Sequence, residues 1–198
     1  MSADADNPRR RPKGDKRERT RAALLDAALA VTRERGFDFS LADVAARAGM
    51  TTGAIYGNFR NRDDLLMALA ERQWGAIRPV FRPGMSFADK MAAVAEAVIA
   101  SIPERAPAAV GALTFRAYAL THEEIRRRFR DSMAQGFEVG AAWLATQLEE
   151  GEAPMPLDQL VRVINALIEG LLFQRFLTPD LMPDETIRAA FAALAGRR

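Results

Sequence analysis

The chain has 198 residues, 49% hydrophobic and 27% charged, a balance that excludes an intrinsically disordered chain and allows one large or two small domains. It has no cysteine and a single histidine, His122, which excludes disulfides, thiolate or histidine-built zinc sites and a histidine-dependent hydrolytic triad; no metal, other cofactor or enzymatic centre is expected. The formal net charge is only +2, so the total says little about partners and the distribution says more.

In chain order, the first feature is a basic run. Arg9, Arg10, Arg11, Lys13, Lys16, Arg17, Arg19 and Arg21 face only Asp15 and Glu18. Residues 1–15 read as a basic arm, suited to a phosphate backbone or an anionic surface, or else a solvated tail. No apolar stretch follows directly, as a secretory signal would require. The longest later one, VINALIEGLLF at 163–173, is interrupted by Asn165 and Glu169 and is too short to cross a bilayer. These features point to a cytoplasmic protein without a membrane partner.

Apolar residues then recur at three- and four-residue steps, with no alternating β pattern, so an all-α fold of about nine helices is expected. The first runs from about Lys16 to Arg35, with Leu24, Leu25, Ala28, Val31 and Thr32 inward, and Gly36 stops it. Ser40 offers an N-cap and Asp43 first-turn acidity to a helix over about Leu41 to Ala48. After Gly49, Thr51 can cap a third helix through about Phe59, and Asn61 a fourth from about Arg62. That fourth helix carries Leu65, Leu66, Leu69, Trp74 and Ile77 as far as Pro79 and Pro83. Beyond the connector RPVFRPGMS, helices are expected at about 86–102, 107–120, 122–149, 157–177 and 184–195, with breaks at Pro103, Pro107, Gly151, Pro154, Pro156, Pro179 and Pro183.

The segment AGMTTGAIYGNF, residues 48–59, sets Gly49, Gly53 and Gly57 four residues apart. Each glycine inside a helix costs about 1 kcal/mol relative to alanine, so three together need a reason. Leu41, Val44, Ala45 and Ala48 make one apolar face, continued by Met50 and Ile55, and Gly49 stands where the chain reverses. This pattern is a helix-turn-helix, whose second helix offers its N-terminal residues to a DNA major groove. Gly53 and Gly57 on its outer side would let the backbone approach the duplex; the alternative is a loosely packed helix.

The stretch FSLADVAARAGMTTGAIYGNFRNRDDLL resembles the TetR family of bacterial transcriptional regulators, over about the first 70 residues. The resemblance implies an N-terminal DNA-binding domain, here 16–62, and a helical effector-binding and dimerisation domain, here 63–198. By the same resemblance Tyr56 and Arg62 match positions that touch DNA phosphates, while Thr51, Thr52, Gly53 and Asn58 match positions facing base edges or the adjacent backbone. The chemistry agrees: Ser40 and Thr51 set hydroxyls beside helix N-termini, Asn61 adds an amide at the next one, and Arg60 and Arg62 suit phosphate. Tyr56 has an alternative, a half-buried ring on Leu65; Phe59 reads as core. The family more commonly has lysine at position 62, and arginine changes the phosphate geometry. The arm, Arg9 to Arg11 above all, then becomes a backbone or minor-groove contact.

For the remainder the resemblance is architectural. It implies a ligand-responsive regulator, most often a repressor, bound to a palindromic double-stranded DNA operator as a homodimer. In LVRVINALIEGLLFQRFL, Leu160, Ile164, Leu167 and Leu171 line one side of a helix, with Val163, Ile168, Leu172 and Phe176 around it and Gly170 admitting a neighbour. This reads as a core helix or as half of a two-fold four-helix contact. A small apolar or aromatic effector would be met by Trp74, Ile77, Phe81, Phe115, Tyr118, Phe137 and Trp143, with Arg116, His122 and Glu169 as polar anchors. The fourth helix would act as a lever between effector and DNA heads. THEEIRRRFR is expected to be a salt-bridged face with Glu123 to Arg127 and Glu124 to Arg128 pairs, or else a second nucleic-acid surface. The rival function is a helical sensor that works through protein partners without DNA.

Overall fold

The computed structural model describes residues 13–196; Arg9, Arg10 and Arg11 of the basic arm lie outside the described residues. Among the described residues there are nine α-helices, two short 3-10 turns and no strand. The helices are α1 (Lys13–Arg35), α2 (Leu41–Arg47), α3 (Thr52–Tyr56), α4 (Arg62–Gln73), α5 (Phe87–Arg105), α6 (Ala109–Thr121), α7 (Glu123–Gln147), α8 (Leu157–Leu177) and α9 (Asp184–Leu194). They form two compact units, one ending at Arg72 and the other beginning at Gln73.

In the first unit α2 packs on α1 and on α3. Leu24 and Ala28 of α1, Val44 of α2, Ile55 of α3 and Leu65 of α4 are fully buried, and Phe59 is 1% exposed, which makes it core as expected. Each such aliphatic side chain contributes about 1.5–3 kcal/mol by leaving water. Thr32, the polar member of that face, is buried too, its hydroxyl donating to the Ala28 carbonyl at 2.8 Å. The α4 side chain of Arg72 donates to the Ala22 carbonyl and pairs with Asp26 of α1. The division of the chain therefore falls at the last residue of α4, ten residues beyond the expected one at Arg62.

In the second unit α5 packs on α9 and α7 on α8. Phe87, Met91, Val94, Ala95 and Val98 of α5, Leu144 of α7, Leu160, Leu171 and Leu172 of α8, and Ile187 and Phe191 of α9 make its core. Lys90, buried beside it, holds Glu152 in the α7–α8 turn through 2.7 and 2.8 Å bonds, and this contact lowers the Glu152 pKa. At Gly140 the two helices come so close that a Cβ there would stand 2.9 Å from Val161 Cγ2.

Three sequence expectations need correction. The fourth helix ends at Gln73, short of Pro79, because Trp74 turns to stack on Phe173 of α8 instead of continuing the helix. Pro103 does not end α5, which continues to Arg105; the ring removes one donor, while Ala106 N–H still reaches the Ile102 carbonyl. On α7 the pairs are Glu123 with Arg126 and Glu124 with Arg127, one residue closer than expected.

Candidate functional site

The site in the first unit is built from helix ends. Ser40 and Asp43 form a capping box: Asp43 N–H donates to Ser40 Oγ at 3.2 Å, while Ser40 N–H and Oγ–H donate to the Asp43 carboxylate at 2.7 and 2.6 Å. The hydroxyl, then the backbone N–H, hold the Asp43 carboxyl below the ordinary aspartate range. Because this pKa is depressed in the folded chain, the cap's stabilisation is present above the unfolded value and is lost as pH falls through the folded one. At the other end of α2, Gly49 adopts φ +64°, Met50 N–H reaches the Ala45 carbonyl at 2.9 Å and Gly49 N–H the Ala46 carbonyl at 3.0 Å. This is a Schellman stop, and only glycine adopts its left-handed position without strain.

The turn delivers the chain to Thr51, whose hydroxyl accepts from Ala54 N–H at 3.3 Å and caps α3. Ile55 is 0% exposed and fixes α3 from behind, while Tyr56 is 61% exposed, so it is not the half-buried ring of the alternative reading. Ser40, Thr51, Thr52, Gly53, Gly57, Arg60 and Asn61 are exposed with it. At Gly53 a Cβ would meet nothing closer than Thr51 Oγ1 at 3.8 Å, so packing inside the chain does not demand glycine there. Arg60 pairs with Asp64 at 3.2 Å, and Asn61 Oδ1 caps α4 by accepting from Asp64 N–H at 2.9 Å.

Two expected contact residues face inward. Asn58 is half-buried: its amide donates to the Ala54 carbonyl at 2.8 Å, and its own backbone carbonyl accepts from Arg21 at 3.0 Å. Arg62 is half-buried too, with Nε donating to the Phe39 carbonyl at 3.0 Å, another guanidinium N–H donating to the Phe37 carbonyl, and the charge 5.2 Å from the Phe39 ring. It staples the α1–α2 turn. Arg21, counted in the sequence only as the last charge of the basic run, lies 4.4 Å over Phe59 and so buttresses the end of α3 from α1.

In the second unit four of the expected effector residues meet. Trp74 stacks on Phe173 at 4.9 Å and 5°, and Arg116 lies 5.5 Å from Trp74 and pairs with Glu169. Arg116 also lies 6.0 Å from Phe129, whose ring meets Phe115 edge-on at 5.6 Å. Arg105, which lies 5.1 Å from the Trp74 ring, Phe129 and Phe173 were outside the expected set. Phe173 was legible, standing one helical turn beyond Glu169 on α8, whereas Arg105 and Phe129 arrive from elsewhere in the chain without a local signal. The other expected residues are dispersed. Phe81 and Trp143 stack on each other at 5.0 Å, Tyr118 and the exposed His122 at 3.7 Å, Phe137 lies 5.9 Å from Arg162, and Ile77 packs against the core.

Residues 24–69 match the family model described as bacterial regulatory proteins, tetR family, and residues 87–197, more than half of the chain, match that of the BetI-type transcriptional repressor C-terminal domain. The chain belongs to the TetR family. It is thus a transcriptional regulator with a helix-turn-helix, and not an enzyme. Among curated relatives, the HTH-type transcriptional regulator SrpR of Pseudomonas putida is 26% identical over 168 residues, covering 82% of this chain and 78% of that one. Among solved structures, Salmonella enterica GusR matches with a TM-score of 0.68 at 18% identity, over 90% of this chain and 96% of its own. The SmeT–triclosan complex matches with a TM-score of 0.60 at 21% identity, over 89% and 90%. These two likenesses concern the fold. No helix among the described residues is long and apolar enough to cross a membrane.

Proposed function

We propose that this TetR-family regulator is a homodimeric, cytoplasmic repressor that leaves a palindromic operator when a small apolar or aromatic effector binds its second unit. The observation that carries the DNA half is α3: Ile55 anchors it from behind, while Thr52, Gly53, Tyr56 and Gly57 stay exposed. A short rod fixed in this way can enter a major groove, with Thr51, Thr52 and Gly53 against the bases or the adjacent backbone. Tyr56, Ser40, Arg60 and Asn61 supply phosphate contacts around it, and the arm at Arg9 to Arg11 adds sequence-independent attraction. Arg62 and Asn58 support the interface from within. Two such heads about 34–36 Å apart would meet successive grooves on one face of the duplex, hence the dimer and the palindrome.

For the effector, the cluster around Trp74 is the favoured site, and the bound triclosan of the similarly folded SmeT agrees with an aromatic ligand. Trp74 directly follows the last residue of α4, and Arg72, one residue earlier, grips α1. An effector that moves the Trp74 ring therefore pulls on the chain at the end of α4, next to the Arg72 contact with α1. Full reversal of the DNA preference needs about 5.5 kcal/mol of differential affinity for the released state.

The test is fluorescence anisotropy with DNA flanking the protein's own gene, at several salt concentrations. Tyr56→Ala is expected to weaken binding about tenfold, the loss of a charge-assisted bond. Absence of binding to every fragment at low ionic strength would overturn the reading in favour of a sensor that acts through protein partners.

A further inference from the structure

Charged donors outnumber carboxylates around Trp74. Arg116 and Arg105 both lie against the Trp74 ring, at 5.5 and 5.1 Å, and Arg116 lies 5.1 Å from Phe173 as well. Arg116 donates to Glu169 and, at 3.2 Å, to the Ala112 carbonyl; Arg105 donates to the Gly75 carbonyl. Beside them Gln73, at the end of α4, sets its side-chain amide against Gly111 on the same helix as Arg116, and its Nε2 is buried without an acceptor. Two guanidiniums and an unpartnered amide therefore stand in this cluster, where Arg116 alone is bonded to a carboxylate, that of the half-buried Glu169, while Glu104, the next acidic residue, is exposed. Such a surplus is costly in a partly dry site, because each donor has given up water. Burial, opposed by the charges of Glu104 and Glu169, lowers the Arg105 pKa.

We infer that the effector is an aromatic carboxylate, its ring packing beside the Trp74 and Phe173 stack and its head group taking Arg116 from Glu169. This deepens the effector reading above and rests on it. A cationic ligand would add to the surplus of charge. A neutral hydroxyl could accept from the Gln73 amide but would bring no charge to offset the guanidiniums. An anion supplies the charge and the acceptors that the guanidiniums at the Trp74 ring lack, and these flat groups beside the rings can hold a planar carboxylate in the plane of its own ring. Glu169 then acts as an internal competitor that keeps Arg116 paired until the ligand arrives, and its own charge opposes the incoming head group.

The test is calorimetric titration of the full-length protein with three compounds that share one ring system: 2-naphthoate, 2-naphthalenemethanol and 2-naphthylmethylammonium. Naphthoate is expected to bind at least about tenfold more tightly than the other two, and Glu169→Gln to tighten it further by about tenfold. Arg116→Gln should abolish the preference and Arg116→Lys should keep part of it. The comparison on the unaltered protein stands even where a variant fails to fold. Equal or tighter binding of the alcohol or the ammonium compound would overturn the carboxylate assignment and leave the effector site in place. Weaker naphthoate binding by Glu169→Gln would overturn the exchange with Arg116. Absence of binding by all three would overturn the effector reading itself.

Discussion

Arg62 shows how far a single side chain can depart from what its position in the chain suggests. Its charge and its place one residue past the Asn61 cap suit a phosphate, yet its fork closes on two carbonyls 23 and 25 residues earlier in the chain. Local spacing gives no sign of such a reach, because the guanidinium's long stem chooses among acceptors brought near only by folding. Ile55 and Phe59, by contrast, were legible: each is apolar at a helical step from its neighbours, and both are buried. The geometry makes the common family lysine a poor substitute. A single ammonium cannot hold both carbonyls in the plane of a fork, so Arg62→Lys is expected to lower stability by about 1–2 kcal/mol in urea unfolding. A variant as stable as the parent would mean that the staple contributes nothing.

Among the elements, the starts of helices were legible and several ends were not. Ser40, Thr51 and Ser86 cap α2, α3 and α5 through side-chain bonds to backbone N–H groups three residues on, chemistry that is local in sequence. The end of α4 depends on Phe173, a partner 99 residues away from Trp74, and so left no trace near Gln73. Glycines on α7 divide in the same manner. Gly136 has open space where a Cβ would go, whereas at Gly140 Val161 stands 2.9 Å away on α8. Gly136→Ala should therefore stabilise by up to about 1 kcal/mol through helix propensity, and Gly140→Ala should destabilise by about 1–3 kcal/mol through overpacking. Thermal unfolding of both variants decides it, and Val161→Ala should relieve the Gly140→Ala defect. The same sign for both would show that the α7–α8 approach is looser than the structure has it.

For the whole molecule, the question is what covers α8. Its inner side is spent on the core through Leu160, Leu171 and Leu172, while Val163, Ala166, Gly170 and Leu177 stay exposed along the other side. Steps of three, four and seven residues keep these four on one line of the helix. A Cβ at Gly170 would meet nothing within 4 Å, so glycine there answers no need inside the protomer. On α9, Ala189, Ala192 and Ala193 are likewise small and exposed. Small side chains on two successive helices are what a two-fold helical contact requires, since they let the backbones of a second copy come near. Gly170→Glu would place a carboxylate in that contact twice over, once from each copy, with no cation on the stripe to pair it. Uncompensated buried charge costs several kcal/mol per ion, more than a contact of small side chains returns. The variant should sediment as a folded monomer at micromolar concentration and lose most of its DNA affinity, because one head engages one half-site alone. Gly136→Glu, at the open position on α7, is the matched control and should leave assembly unchanged. If Gly170→Glu sediments with the parent, the contact between copies lies on another face.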